Sequence, residues 1–227
     1  MRIHRFYVSE AELLDNFWFK DSATLHQWNK VLRFRNDQKV ILFNSHNREY
    51  LYEIIELTKS KAHLKRVADV EQILPDKDIY LFWSLLKKDK NDWVLQKSTE
   101  LGVNHFMPII ADRSEKTGFN IERANKIVIE ASEQCGRSNI PKIHNVMPVK
   151  DAVSLYKDKL TMFICQQGAD LQNKSANECG LFIGPEGGWS NDELEFFNYN
   201  NILKIVLSDF TLRAETAAVV AISKMFA

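Results

Sequence analysis

The stretch LFIGPEGGWSNDEL, Leu181 to Leu194, decides how this chain is read. Its first residues, Leu181-Phe182-Ile183, form an apolar run short enough for a buried strand. Ser190-Asn191-Asp192-Glu193 is a capping box that opens a helix: the serine accepts from the amide of residue 193, and the glutamate answers back. The chain thus passes from strand to helix through Gly184-Pro185-Glu186-Gly187-Gly188, which holds three of the eight glycines in 227 residues. A turn needs one glycine or two. Three in five positions predict a backbone that something approaches closely, since amides with no Cβ beside them can lie against a ligand. In open α/β sheets, ligands bind at such carboxyl ends of strands. The segment is neither a GxGxxG fingerprint nor a phosphate loop, since no Gly-Lys-Ser/Thr follows. Taken alone, a tight strand-to-helix turn explains it equally well.

Outward from this stretch, strand-like and helix-like segments alternate. Strands are expected at 79–83, 105–110, 160–165, 181–183 and 202–207, and helices at 89–101, 121–135, 149–156 and 216–226. Alternation of this kind implies a mostly parallel sheet covered on both faces. Upstream of Leu74-Pro75-Asp76 the pattern differs. Short strand-like runs at 40–43, 50–57 and 62–67, joined by polar turns, suggest a compact barrel with one helical stretch at 22–32. The expected domains are therefore 1–74 and 75–227.

Thirty basic residues balance thirty acidic ones, so net charge does not point to nucleic acid, and any such partner must be met by local patches. Residues 1–74 carry twelve Lys/Arg against ten Asp/Glu, a slight lean towards an anionic partner. Cys135, Cys165 and Cys179 are odd in number and lack CxxC spacing, which argues against a disulfide framework or a zinc site, and no metal is expected. The opening MRIHRFYVSEAELL lacks the apolar core of a signal peptide, and no apolar run reaches the length of a membrane span. A cytoplasmic location is expected.

Three further constellations carry chemistry. Leu212-Arg213-Ala214-Glu215-Thr216-Ala217 opens an almost wholly apolar helix, expected to be buried all round, within the chain or at a subunit interface, with Arg213 and Glu215 at its start. Those two residues can pair with each other or cap the helix, or they can face the glycine loop. The helix over 121–135 places Glu130, Glu133, Gln134 and Arg137 around its carboxyl end, where they form a solvated face or, with Arg113-Ser114, a phosphate grip. Arg2, Arg5, Lys30, Arg33 and Arg35, with Trp28 between them, interleave basic and aromatic groups in a way that suits RNA, as do Lys87 to Lys90.

Taken in order, His26…Val31-Leu32-Arg33, Lys97-Ser-Thr-Glu-Leu-Gly102, Arg113-Ser114, Glu130-Ala-Ser-Glu-Gln134…Arg137, Gly184-Pro-Glu-Gly-Gly188 and Leu212-Arg-Ala-Glu-Thr-Ala217 resemble one family. It is the ribosomal RNA small subunit methyltransferase E family, whose members methylate N3 of a uridine in 16S rRNA. The resemblance runs the length of the chain. It implies an N-terminal PUA-like β-barrel for RNA and a C-terminal α/β-knot methyltransferase domain of the SPOUT class, with a deep trefoil knot that departs from the usual unknotted chain. It also implies a homodimer and S-adenosylmethionine as cofactor. The cofactor would be held by Gln166 with Gln167, by Gly184, Pro185, Glu186, Gly187 and Gly188, and by Leu207, Ser208 and Leu212. Where the family has a glycine and a further arginine before Leu212, this chain has Ser208 and Phe210.

Methyl transfer to N3 of uracil requires loss of the imide proton and alignment of the nitrogen, with a base or a stabilising cation in reach. Arg137, Arg113, Glu133 and Arg213 are the candidates, and Arg2, Arg5, Lys30, Arg33, Arg113 and Arg137 are expected to hold RNA. Two other readings fit the same residues: a knotted methyltransferase acting on another RNA nucleotide, and a non-catalytic RNA-binding protein of ribosome assembly.

Overall fold

The structure, a computed structural model, describes residues 3–8, 13–46, 48–114, 118–166 and 176–226. Arg2 and Gln167 lie outside the described residues. Two compact units are present, one of Met1–Leu74 with Ser132–Ile140 and the other of Pro75–Ala131 with Pro141–Ala227. The expected domains put 132–140 in the second unit, whereas contacts put them in the first. The amide of Tyr7 donates to the Glu133 carboxylate at 2.8 Å, and Ile73 and Ser138 exchange two hydrogen bonds of 2.8 Å. Partners so far apart in the chain leave no local signal.

The first unit contains β1 (His4–Tyr7), β2 (Asn16–Phe19), α1 (Ser22–His26), β3 (Lys39–Phe43), β4 (Glu49–Leu57) and β5 (Ala62–Asp69). Asp21 caps α1 by accepting from the Thr24 amide at 2.8 Å, and the helix runs on through one wider turn, Gln27–Val31. The sheet order is β1-β3-β4-β5-β2, with β1 parallel to β3 and every other pair antiparallel. Although β1 and β2 are opposite edges, Phe6 of β1 and Phe19 of β2 both reach the fully buried Trp28, at ring separations of 5.3 and 5.4 Å. One indole can touch both edges only if the sheet has curled round it, so Trp28 plugs a barrel. Burying an aromatic side chain of this kind stabilises by roughly 1.5–3 kcal/mol.

The second unit contains β6 (Asp78–Ser84), α2 (Lys88–Glu100), β7 (His105–Ile110), most of α3 (Ile121–Cys135), β8 (Lys142–Ile143), β9 (Met147–Pro148), α4 (Val149–Tyr156), β10 (Thr161–Cys165), β11 (Glu178–Ile183), α5 (Asn191–Tyr199), β12 (Leu203–Ile205) and α6 (Ala214–Phe226). Its sheet order is β12-β10-β11-β6-β7-β8, with β9 also paired to β7, and every pairing is parallel. Covered on both faces, the central strands bury consecutive residues: Leu81, Phe82 and Trp83 are all fully enclosed. Phe82 stacks on Phe182 of the neighbouring strand at 4.4 Å.

Within this chain the last helix, α6, buries Ala214, Ala218, Ala221, Ile222 and Met225, a single stripe at helical spacing. Phe226 is exposed and Val219 and Val220 are half-buried. The small alanines let the helix lie close against α2 and β11.

Candidate functional site

The carboxyl ends of β10, β11 and β12 lie side by side, and the segments leaving them enclose a cavity of about 640 Å³. Cys165 and Gln166 form the first wall, Ile183 to Glu186 with Gly188 and Trp189 the second, and Leu207, Ser208 and Phe210 to Ala214 the third. Ala217 and Lys90 complete the lining. Hydrogen bonds to backbone oxygens hold the walls together. The Gln166 amide donates to Ile205 O at 3.1 Å, and Lys224 of α6 donates to Val206 O at 2.9 Å. Lys90 is placed by its neighbour Asn91, whose buried amide group bonds both the Trp83 indole and the Leu86 backbone and so pins the start of α2.

Each glycine of the loop has its own cause. Gly188 has φ of 69°, which an L side chain rarely adopts, and its amide closes a turn on Pro185 O at 2.9 Å. A Cβ at Gly184 would stand 3.1 Å from the Trp189 indole, and one at Gly187 would stand 3.3 Å from Arg113 Cβ. The close approaches at 184 and 187 are thus made by the chain's own side chains. Gly187 does not line the cavity, whereas Gly184, Pro185, Glu186 and Gly188 do.

Glu193 holds the loop in place. It is buried, and besides accepting from Ser190 N at 2.8 Å in the capping box, it accepts from Asp112 N at 2.9 Å. Ser190 in turn donates to Asp112 Oδ2 at 2.5 Å. Arg113 Nη1 donates to Gly187 O at 2.9 Å. One buried carboxylate therefore joins the loop after β7 to the loop after β11.

The charges at the cavity are arranged around an ion pair. Lys90 pairs with Glu186, and that hydrogen bond raises the lysine above its usual range and lowers the glutamate below its own, so both are ionised at neutral pH. Burial pushes the Cys165 thiol up to about 12, so it stays protonated and is no nucleophile. Gln166 Oε1 and Trp189 Nε1, both from cavity-lining residues, are buried and have no hydrogen-bond partner among the described residues. So is Oε2 of Glu215, at the start of α6. These three atoms are closed to solvent by the chain itself, so the place for a ligand is marked by the cavity and its lining rather than by them.

The expected site residues separate into groups. Gln166, Gly184, Pro185, Glu186, Gly188, Leu207, Ser208, Leu212 and Arg213 converge on the cavity. Arg113 is exposed beside the glycine loop but outside the lining. Glu133 and Arg137 do not line it. Glu133 receives the Tyr7 amide, and Arg137, 5% exposed, bonds Asn139 Oδ1 at 3.0 Å while burial pulls it down to about 10. Arg5 is also turned inward. It pairs with buried Glu49 at 2.5 Å and donates to Arg137 O at 3.2 Å, which leaves little of it to offer a phosphate. Lys30 and Arg33 are exposed, Arg33 with a left-handed φ of 53°. Lys90 and Trp189 were not singled out for the cavity in the sequence, although Trp189 directly follows the glycines. Among the described residues no group of three His, Cys, Asp or Glu converges as a metal site would require.

Comparison with known proteins agrees with this geometry. Residues 74–226 match the RNA methyltransferase domain family, and residues 30–65 match the RNA methyltransferase PUA domain. The ribosomal RNA small subunit methyltransferase E of Rickettsia conorii is 29% identical over 99% of this chain and 96% of its own. That of Helicobacter pylori is 33% identical over 75% of this chain and 76% of its own. The Neisseria gonorrhoeae ribosomal RNA small subunit methyltransferase E, solved bound to S-adenosyl methionine, superposes with a TM-score of 0.87 at 26% identity, covering 99% of this chain and 97% of that one. A Legionella pneumophila protein solved with bound cofactor SAM gives 0.86 at 26% identity over the same shares. The chain belongs to the ribosomal RNA small subunit methyltransferase E family, and its fold is the expected PUA-like barrel with an α/β-knot domain.

Proposed function

We propose, on the premise of that membership, that this protein methylates N3 of a uridine in 16S rRNA and takes the methyl group from S-adenosylmethionine. The observation that carries the reading is the cavity at the ends of β10, β11 and β12, walled by the three segments that leave them. The lining fits the cofactor: Gln166, the Gly184 to Glu186 segment, the polar Ser208 and Arg213, and small or apolar walls from Leu207, Leu212, Ala214 and Ala217. Gln166, Gly184 to Glu186, Gly188, Leu207, Ser208 and Leu212 would hold it. When bound, S-adenosylmethionine supplies an electrophilic methyl group on a sulfonium.

The chain's residues do the rest. Leu207, Leu212 and Ala217 keep water from the transfer, and the fixed walls supply orientation, the larger part of the rate enhancement. Arg213, at the cavity, is placed to stabilise negative charge developing on the uracil oxygens once the imide proton leaves. Arg113, tethered to Gly187 O, has further donors to offer an RNA phosphate at the rim. Lys30 and Arg33 on the first unit extend the RNA contact. Arg137 and Glu133 act by fixing the end of α3 in the first unit. The 1–74 region serves RNA binding, and 75–227 serves cofactor binding and assembly into a homodimer acting in the cytoplasm.

The test is mass spectrometry of 16S rRNA nucleosides from cells with and without the gene. N3-methyluridine is expected to vanish on deletion and to return with the wild type. An unchanged nucleoside profile refutes the reading.

A further inference from the structure

The loop that forms the third wall presents a phenyl ring to solvent at the mouth of the cavity. Phe210 lines the cavity, yet 80% of it is exposed. A loose loop would explain such a ring, but this loop is held. Ser208 Oγ accepts from the Phe210 amide at 3.1 Å, Lys224 grips Val206 O, and Leu207 and Leu212 are half-buried on either side. Ser208 and Phe210 are thus joined by one hydrogen bond, the serine setting the turn that displays the phenylalanine. Among the described residues, no other ring or cation packs on Phe210. The cavity's other aromatic is unsuited to a planar ligand. Trp189 is 8% exposed, stands edge-on to Phe197 at 5.0 Å and lies against Gly184.

We infer that Phe210 is the stacking platform for the target pyrimidine, holding the unstacked base over the cavity mouth. The inference rests on the methyltransferase reading. A base whose ring nitrogen must react has to leave its neighbours in the RNA, and an aromatic face replaces the stacking it loses. Phenylalanine suits this because it has no polar group to compete for the imide nitrogen or the flanking oxygens. Arg213, on the same loop, is left to meet the oxygens. An arginine at 210 would instead grip the RNA chiefly by charge. This protein therefore captures its base by a contact that salt does not screen.

The test uses the full chain and an unmethylated 16S rRNA transcript. Phe210→Ala is expected to weaken transcript binding, and to raise KM for it, by about tenfold, the size of one lost base–aromatic stack. kcat should fall as well, since the ring positions the reacting base, while the salt dependence of binding should not change. Affinity for S-adenosylmethionine by calorimetry and the sedimentation profile should match the wild type. Phe210→Trp should restore RNA affinity, and Ser208→Ala should give a smaller loss. Loss of cofactor affinity in Phe210→Ala would overturn the inference by making the ring a cofactor wall. An altered sedimentation profile would overturn it by making the ring an interface between copies. Unchanged RNA affinity would overturn it outright. A wild type that binds cofactor but methylates no rRNA sinks the parent reading, and the transcript-binding comparison still decides whether the ring holds RNA.

Discussion

The two ends of the second unit's sheet are built on opposite plans. At the amino end, His105 Nδ1 and His144 Nε2 are 3.1 Å apart, His105 Nε2 lies 3.5 Å from Asp78 Oδ1, and Asn104 donates to the same carboxylate at 3.1 Å. Tyr80 stacks on His105 at 4.0 Å. These polar groups answer one another. At the carboxyl end, Gln166 and Trp189 keep buried polar atoms with no partner among the described residues. The larger histidine shift lies at the end without the cavity: burial, with His105 and Lys142 adding to it, brings His144 down to about 4. A displaced pKa by itself is therefore a weak mark of function.

The largest expected effect is at the open end. Gly184→Val forces Trp189 aside, which costs roughly 1–3 kcal/mol, so cofactor affinity should drop about tenfold to a hundredfold. Titration calorimetry on a variant with native circular dichroism measures it, and wild-type affinity would break the contrast between the two ends.

Next comes Glu193→Ala, which strands the amides of Ser190 and Asp112. Both amides are only part-buried, so losing these hydrogen bonds should cost about 1–3 kcal/mol together, and the thermal midpoint should fall by roughly 2–12 °C. Calorimetric melting decides this, and an unshifted midpoint would show that the carboxylate does not join the loops.

A subtler test addresses the closed end. His144, and His105 with it, have folded pKa values below the unfolded value near 6.5, chiefly through burial, with Asp78, Glu178 and Lys142 as the charges facing them. A lowered histidine pKa stabilises the fold fully above the unfolded pKa, and that contribution is lost as pH falls from about 6.5 towards about 4. His144→Gln should flatten the melting-temperature profile over this window and leave cofactor affinity at pH 7.5 unchanged. A change in that affinity would erase the distinction between the ends.

Lys90→Gln should have the smallest effect. Its pair with Glu186 is near solvent, so cofactor affinity should fall only roughly two- to threefold, and the deficit should shrink in high salt. A salt-independent loss would mean that Lys90 touches the ligand directly.

How much of this was legible depends on the range of each interaction. The capping box at Ser190 and Glu193 was readable because its partners lie three residues apart, and the alternation after Pro75 was readable because parallel buried strands are continuous apolar runs. β1 and β2, HRFY and NFWF, escaped because four residues of mixed burial make no period. The second oxygen of Glu193, which meets Asp112 across 81 positions, had no local signature. Neither did the inward turn of Arg5, which reads as a surface cation until Glu49 and Arg137 O are beside it. The glycines were singled out for the close approach of a ligand, whereas the approaches seen at Gly184 and Gly187 are those of Trp189 and Arg113.

The order of the three walls has a consequence for biosynthesis. β12 pairs with β10 on the side away from β11, matching Phe163 with Leu203. The third wall is therefore translated after the other two and reaches its place only by long-range pairing, which is slow to form. A nascent chain that has not yet added Leu203 to Ala217 has no closed cavity and can hold no ligand. Ligand binding favours only the state that binds. A ligand of this cavity is thus retained only by chains in which β12 has paired with β10, so binding stabilises the completed fold over any state that lacks the third wall.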